Sequence, residues 1–366
     1  MSKHGKILVA MSGGIDSTVA AMMLHEEGYE VIGVTMKTWD YANSSATKKE
    51  TGCCSLDSIN DARAIAVSNG FHHFIVDIRE EFGNYVIDNF IDEYMAGRTP
   101  NPCVLCNTHI KWESLLRRAD ALDCEHIATG HYAIIKQENE RYFVSKGVDE
   151  QKDQTYVLWG LSQECLSRTK LPLGVFTKPE IRKMAFDWGY EELSKKAESF
   201  EICFIPDNDY RNFLRHNVEG IDKLAGGDFV DINNNIIGKH KGYPFYTIGQ
   251  RKGLGQEFGQ PMYVAEIDAN ANRVVLGEAK DILRNGMKVT KLNLQKYDTV
   301  TPNFEAAVQV RYNDRVGTMA TLNMVDDALD IVFSANVRGI APGQSAVIYE
   351  GDDVVGGGII HSSLKF

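Results

Sequence analysis

The stretch KILVAMSGGIDSTVAAMMLHEEG, Lys6–Gly28, decides the fold. It opens on a short apolar run, Lys6–Met11, of the kind a fully buried strand shows. It turns through Gly13 and Gly14, then continues as a helix over Ser17–Glu27 that Gly28 stops. Paired glycines let the backbone turn tightly and come close to an anion. The first amides of the following helix point at such a group, and the helix dipole favours negative charge there. Ser12 and Ser17 add hydroxyl donors. Asp16 does not attract phosphate by charge, so its place in the loop fits orienting the turn or holding magnesium. The loop lacks the Gly-Lys-Ser/Thr ending of a Walker A motif.

Outward from this unit, strands and helices alternate. Glu30–Met36 reads as a second strand, Asp57–Asn69 as a helix ended by Gly70, and His73–Ile78 as a third strand. Phe82, Val86, Phe90 and Tyr94 recur at helical spacing. Asn107–Leu122 reads as another helix, followed by a strand at His126–Thr129. The alternation implies a parallel sheet covered on both faces by helices. Thr177-Lys178-Pro179-Glu180 fits a capping box, so a helix starts there and runs to about Trp188.

Past about residue 215 the character changes. Asn233–Asn235 and Asp268–Asn272 read as turns, and Ala306–Val310, Gly317–Val325, Ala328–Ser334 and Ser345–Tyr349 as strands. The expected organisation is an α/β nucleotide-binding domain over 1–215, a small central β module over 216–282 and a C-terminal β-barrel over 283–366.

The 366 residues, with 43% hydrophobic and 24% charged, suit a soluble globular chain and argue against disorder or a collagen-like fibre. No apolar run approaches the ~20 residues that cross a bilayer. The N-terminus has no signal-peptide pattern, so we read a cytoplasmic protein without a membrane partner. The net charge of −11 argues against a general nucleic-acid coat, though a specific nucleic-acid enzyme needs only a basic contact face. Two acid-free stretches are candidates for that face. Residues 232–256 carry Lys239, Lys241, Arg251 and Lys252 with Tyr243, Phe245 and Tyr246 among them; residues 282–297 carry Arg284, Lys288, Lys291 and Lys296.

Seven cysteines, an odd count, all lie in the first 203 residues, which speaks against a disulfide framework. Cys106, in Asn101-Pro102-Cys103-Val104-Leu105-Cys106, stands just before the predicted helix, where a thiolate is stabilised. Cys203 sits in the apolar segment Phe200–Ile205. Cys124 and Cys165 read as small buried hydrophobes, Cys53-Cys54 as a plain loop, and His72-His73 as structural. His131 either touches a ligand or holds structure.

Ser12-Gly13-Gly14-Ile15-Asp16-Ser17 resembles the PP-loop of the ATP pyrophosphatases. That motif alone leaves open amide-forming synthetases, tRNA sulfur-transfer enzymes and a nucleotide-dependent tRNA-binding module without catalysis. Further stretches narrow it: Ala128-Thr129-Gly130-His131-Tyr132, Lys152-Asp153-Gln154-Thr155-Tyr156, Tyr246–Gly255, Val310-Arg311-Tyr312 and Ala341-Pro342-Gly343-Gln344. With both cysteine segments, the chain resembles the tRNA-specific 2-thiouridylases nearly end to end.

The resemblance implies ATP and magnesium at Ala10, Met11, Ser12, Gly13, Gly14, Ile15, Asp16, Ser17, Met36 and Gly130. It implies adenylation of the wobble uridine 2-oxygen in lysine, glutamate and glutamine tRNAs. Cys203 would carry a persulfide and Cys106 would act as nucleophile or resolving thiol. Asn101, Pro102, Cys103, Lys152, Asp153, Gln154, Arg311 and Tyr312 would contact tRNA. A cysteine desulfurase or sulfur-relay protein and a reductant are the implied partners. The family often has aspartate where this chain has Cys103. The swap creates Cys103-x-x-Cys106, which with Cys203 offers three ligands to a [4Fe–4S] cluster; a plain redox pair and a zinc half-site are the alternatives.

Overall fold

The computed structural model describes residues 2–39, 56–196, 202–205 and 207–365; Cys53 and Cys54 fall outside them. The chain forms two compact units, one of residues 1–86, 103–208 and 352–354, the other of 87–102, 209–351 and 355–366.

In the first unit, β1 (Lys6–Ala10), β2 (Glu30–Lys37), β3 (His72–Asp77), β4 (His126–Ala128) and the short β7 (Thr169–Lys170) form one sheet in the order β3-β2-β1-β4-β7. Its pairings β1–β2, β1–β4, β2–β3 and β4–β7 are all parallel. Helices Ile15–Glu27, Leu56–Ser68 and Lys178–Asp187 bury Val19, Ala62 and Ile181 against Ile7 and Val9 in the core of this unit. The Thr177 capping box is present: the Glu180 carboxylate accepts from the Thr177 backbone N–H at 2.7 Å. The hairpin β5 (Ile134–Glu138) and β6 (Arg141–Ser145) turns through Asn139 and Glu140, both at positive φ, as a two-residue turn of the primed type requires.

The second unit holds β8 (Asp228–Val230), β9 (Ile236–Lys239), β10 (Tyr263–Asp268) and β11 (Arg273–Gly277), a four-stranded sheet ordered β10-β11-β8-β9. It also holds a six-stranded barrel of β12 (Leu283–Leu294), β13 (Phe304–Gln309), β14 (Thr318–Val325), β15 (Ala328–Arg338), β16 (Ser345–Glu350) and β17 (Asp353–Leu364). Pairing of β12 with β17 closes it. Met287, Val308, Leu322, Ile331, Ile348 and Ile360 fill its interior. The expected fold class therefore stands: a parallel α/β unit, then a small β module, then a β-barrel.

Three expectations change. The helix assigned to Asn107–Leu122 begins at Pro102 and runs to Ala121, with a π-helical segment at Cys106–Trp112. Proline is well suited to a first helical position, and the apolar-periodicity signal only picks up further along. Cys106 therefore lies inside a helix, not before one. The second acid-free stretch is largely β12, and Lys296 is paired with Glu350 at 2.6 Å. In the first, Tyr243, Phe245 and Tyr246 are buried core and Lys239 pairs with Asp228, which leaves Lys241, Arg251 and Lys252 exposed.

Candidate functional site

The site begins where the sheet order reverses. From β1 the chain steps to β2 and β3 on one side, and later places β4 on the other, so a crevice opens beyond the carboxyl ends of β1 and β4. The glycine loop follows β1, and Gly130 follows β4. A Cβ on Gly130 would lie 2.7 Å from the backbone of Asp16 and Ser17, so the two segments touch backbone to backbone. Gly13 adopts φ +70°, and a Cβ there would lie 2.0 Å from the Ser58 carbonyl oxygen. Ala10 ends β1 opposite Val34, and Met36 lies two residues further along β2, half-buried.

Inside the loop, the Ser12 amide donates to Ser17 Oγ at 3.0 Å, and Thr18 Oγ1 donates to the Gly14 carbonyl at 3.0 Å. Thr35 Oγ1 donates to the Met11 carbonyl at 2.7 Å. A threonine hydroxyl has one hydrogen, so the 2.9 Å contact with His73 Nε2 requires the ring N–H to donate to Thr35. His73 thus donates in a relay that holds the loop. Burial, with Arg63 adding, lowers its pKa and favours the neutral ring.

Asp16 is clamped. Lys178 Nζ donates to both carboxylate oxygens, at 2.7 and 2.8 Å, and Tyr132 OH donates to Oδ1 at 2.7 Å. The Lys178 side chain is 7% exposed and that of Asp16 33%. Lys196 Nζ reaches the Gly13 carbonyl at 3.2 Å and Asp61 at 2.9 Å. Sequence reading missed Lys178 and Tyr132 in this role. A lysine beside a helix start reads as solvated, and only tertiary structure shows it buried.

The thiols lie in the same unit. Cys103, Cys106, Cys124, Cys165 and Cys203 are all unbridged. Cys106 is buried where the π-helical segment starts, a departure from α geometry that recurs at functional sites. That segment packs on Arg79–Phe82, and Phe204, next to Cys203, meets the Phe82 ring edge to face at 5.7 Å. Both thiol-bearing segments therefore converge on one helical turn. Cys103 is exposed, yet the surrounding protein desolvates its thiol and pushes the pKa up, against a smaller downward pull from Lys111. The same lysine reinforces desolvation in pushing His131 well below its ordinary 6.5. His131 bonds Thr129 Oγ1 at 2.8 Å and lies 5.2 Å from the Trp112 ring.

Among the described residues no three His, Cys, Asp or Glu side chains are grouped as a metal ion would need. Cys103, Cys106 and Cys203 form no such group.

Families described as "tRNA methyl transferase HUP domain", "tRNA methyl transferase PRC-barrel domain" and "Aminomethyltransferase beta-barrel domain" match residues 5–207, 211–278 and 284–360. The tRNA-specific 2-thiouridylase MnmA of Amoebophilus asiaticus is 62% identical over 99% of this chain and 97% of its own length. That of Cytophaga hutchinsonii is 61% identical over the whole of both. The chain belongs to the MnmA family of tRNA-specific 2-thiouridylases. A partial likeness extends to the U34-tRNA thiolase NcsA of Methanococcus maripaludis, at 17% identity over 61% of this chain and 68% of that one, with TM-score 0.35.

The residues the family resemblance assigns to tRNA lie as follows. In the first unit Gln154 is tied to Tyr132, its Oε1 accepting from the Tyr132 amide at 2.9 Å, and Asp153 accepts from the Thr155 amide and hydroxyl. Lys152 is half-buried beside them. In the second unit Arg311 and Tyr312 are exposed, and Arg311 donates to the Arg338 carbonyl at 3.0 Å. Asn101 donates to Ser345 Oγ at 3.4 Å. Among the described residues no helix is long and apolar enough to cross a membrane.

Proposed function

We propose that this chain is a cytoplasmic tRNA 2-thiouridylase. Its end-to-end identity with relatives of that name carries the reading. ATP would bind at Ala10–Ser17 with Met36 and Gly130 beside it, the phosphates on the amides that open the helix. Magnesium would accompany the phosphates near Asp16, whose carboxylate is oriented in advance by Lys178 and Tyr132. The wobble uridine 2-oxygen attacks the α-phosphorus and pyrophosphate leaves. The oxygen, now part of an adenylate, departs as AMP when sulfur attacks C2.

The sulfur is the terminal atom of a persulfide on Cys203. Attack gives a C2–S–S–Cys203 intermediate. The Cys106 thiolate then attacks the Cys203 sulfur, so the S–S bond to the base breaks, thiouridine is released, and a Cys106–Cys203 disulfide remains. A reductant supplies two electrons to reopen it, and a cysteine desulfurase or relay protein reloads Cys203. In the alternative order, Cys106 attacks the persulfide first and the hydrosulfide set free attacks C2. Lysine, glutamate and glutamine tRNAs are the proposed substrates, with Lys152, Arg311 and Tyr312 among the contacts. An anticodon loop offers its wobble base at low unstacking cost.

The test is thiolation of a wobble-uridine tRNA by wild type, Cys106→Ala, Cys203→Ala and Cys103→Ala, with ATP, magnesium and a sulfur source. The expected result is AMP release and sulfur-for-oxygen exchange at uridine that needs Cys106 and Cys203 but not Cys103. Methyl transfer, the activity for which the matched domain families are named, is the rival chemistry. A product heavier by a methyl group, with no AMP formed, would replace this reading by that one.

A further inference from the structure

The four residues Arg98-Thr99-Pro100-Asn101 lead directly into the helix that begins at Pro102. Proline at 100 and 102 removes two backbone donors, so this segment joins no ladder of its own, and its carbonyls must find partners elsewhere. They find them on one loop of the second unit, Gly339–Gln344, between β15 and β16. Gln344 Nε2 donates to the Thr99 carbonyl at 3.2 Å and the Pro100 carbonyl at 2.6 Å. The Thr99 amide donates to the Pro342 carbonyl at 2.8 Å. Asn101 Nδ2 completes the seam on Ser345, the first residue of β16.

The loop that makes these bonds is itself fixed. The Gly343 amide donates to the Ile360 carbonyl at 2.9 Å and the Ile360 amide to the Gln344 carbonyl at 2.8 Å, which ties it to β17. Gly343 adopts φ +91°, and a Cβ there would lie 2.7 Å from the Thr99 oxygen and 2.9 Å from Glu93 Oε2. Only glycine lets the two backbones come this close. Glu93 in turn holds the guanidinium of Arg98 through a fork at 2.6 and 2.7 Å.

We infer that Gln344 is a positioning residue for sulfur transfer: by holding the Thr99 and Pro100 carbonyls, it fixes where the helix bearing Cys103 and Cys106 begins. The inference deepens the thiouridylase reading and rests on it. It gives the Ala341-Pro342-Gly343-Gln344 turn a task in the reaction. Releasing Thr99–Asn101 lets the helix start drift, and misplacement of reacting groups by about 1 Å costs up to ~10²-fold in rate.

The test compares Gln344→Ala, Gln344→Glu and Gln344→Lys in the full-length protein. Glutamate keeps the shape and presents oxygens to two carbonyls; lysine restores an N–H donor of similar reach. The expected result for alanine and glutamate is a fall in thiolation kcat of roughly ten- to hundredfold, with KM for ATP within about twofold of wild type. Amide exchange at Thr99 quickens, and the lysine variant recovers part of kcat. Wild-type kcat in the glutamate variant would overturn the inference. So would an equal loss in all three variants, because a donor-dependent role requires partial rescue. If the alanine variant does not fold, glutamate and lysine decide between these outcomes. Absence of thiolation by the wild type itself would instead refute the thiouridylase reading, and Thr99 exchange would still report whether Gln344 holds the segment.

Discussion

The Asp16–Lys178 pair makes a quantitative prediction because its partners differ in burial. Asp16→Asn keeps an acceptor for Tyr132 but removes the opposing charge from a lysine whose side chain is 7% exposed. A buried charge whose partner has been removed costs about 3–5 kcal/mol. Lys178→Met is the gentler change. It leaves a carboxylate that is 33% exposed, within reach of water and still bonded to Tyr132. Lost hydrogen bonds to a charged group of this kind, discounted for solvent screening, amount to about 1–2 kcal/mol. Equilibrium urea unfolding of the two single variants and the double variant, with midpoint and slope read together, measures both values and their coupling. The expected order is Asp16→Asn well below Lys178→Met, with a coupling of about 1–3 kcal/mol. Equal losses, or a coupling under about 0.5 kcal/mol, would refute the clamp as a buried ion pair.

Gly13→Ala should abolish Mg–ATP binding in a calorimetric titration, since its Cβ would be 2.0 Å from the Ser58 oxygen at a positive φ. Retention of wild-type affinity would show that the loop has another conformation. His131 is neutral in the folded chain because its pKa is pushed well below 6.5, whereas the unfolded chain takes up a proton near that value. Stability from this group is therefore whole above about pH 6.5 and lost as pH falls below it. Melting temperatures between pH 7 and pH 5 should drop less for His131→Gln than for wild type. The Cys103 thiol, raised by desolvation, should alkylate slowly with iodoacetamide at neutral pH despite its exposure, and speed up only well into the alkaline range. Fast reaction at pH 7 would mean that Lys111 outweighs desolvation.

Much of this architecture is visible in local signals. Lys6–Met11 and the glycine pair announce a strand and an anion loop, because a parallel strand is continuous in apolar residues and the turn needs glycine. The closed barrel is harder to read: β12 and β17 mix Asn, Lys, Gly and Ser with apolar residues and show no clean alternation. Their partners decide their state. The helix start at Pro102 is hidden behind two prolines and a cysteine pair that look like a loop. Lys178 and His73 escape for a related reason. Each is a polar residue whose role exists only through a contact with a distant part of the chain, at Asp16 and at Thr35, and no spacing rule records it.

The order in which the two units use the chain has a consequence for biosynthesis. Residues 87–102 are made early but belong with 209–351 and 355–366, where Tyr94 stacks on Tyr210 at 4.6 Å, Phe90 meets Phe213 at 5.7 Å and Tyr243 bonds the Met95 carbonyl. A ribosome that has released residue 208 has exposed an apolar stretch whose partners do not yet exist. That stretch waits, in need of shielding, until residues 210–243 emerge. Gln344, which secures Thr99 and Pro100, is translated only 22 residues from the end of the 366-residue chain. A stop codon between Cys203 and Gln344 would therefore spare every cysteine and the whole glycine loop, and still release a chain whose early-made helix start is never fastened.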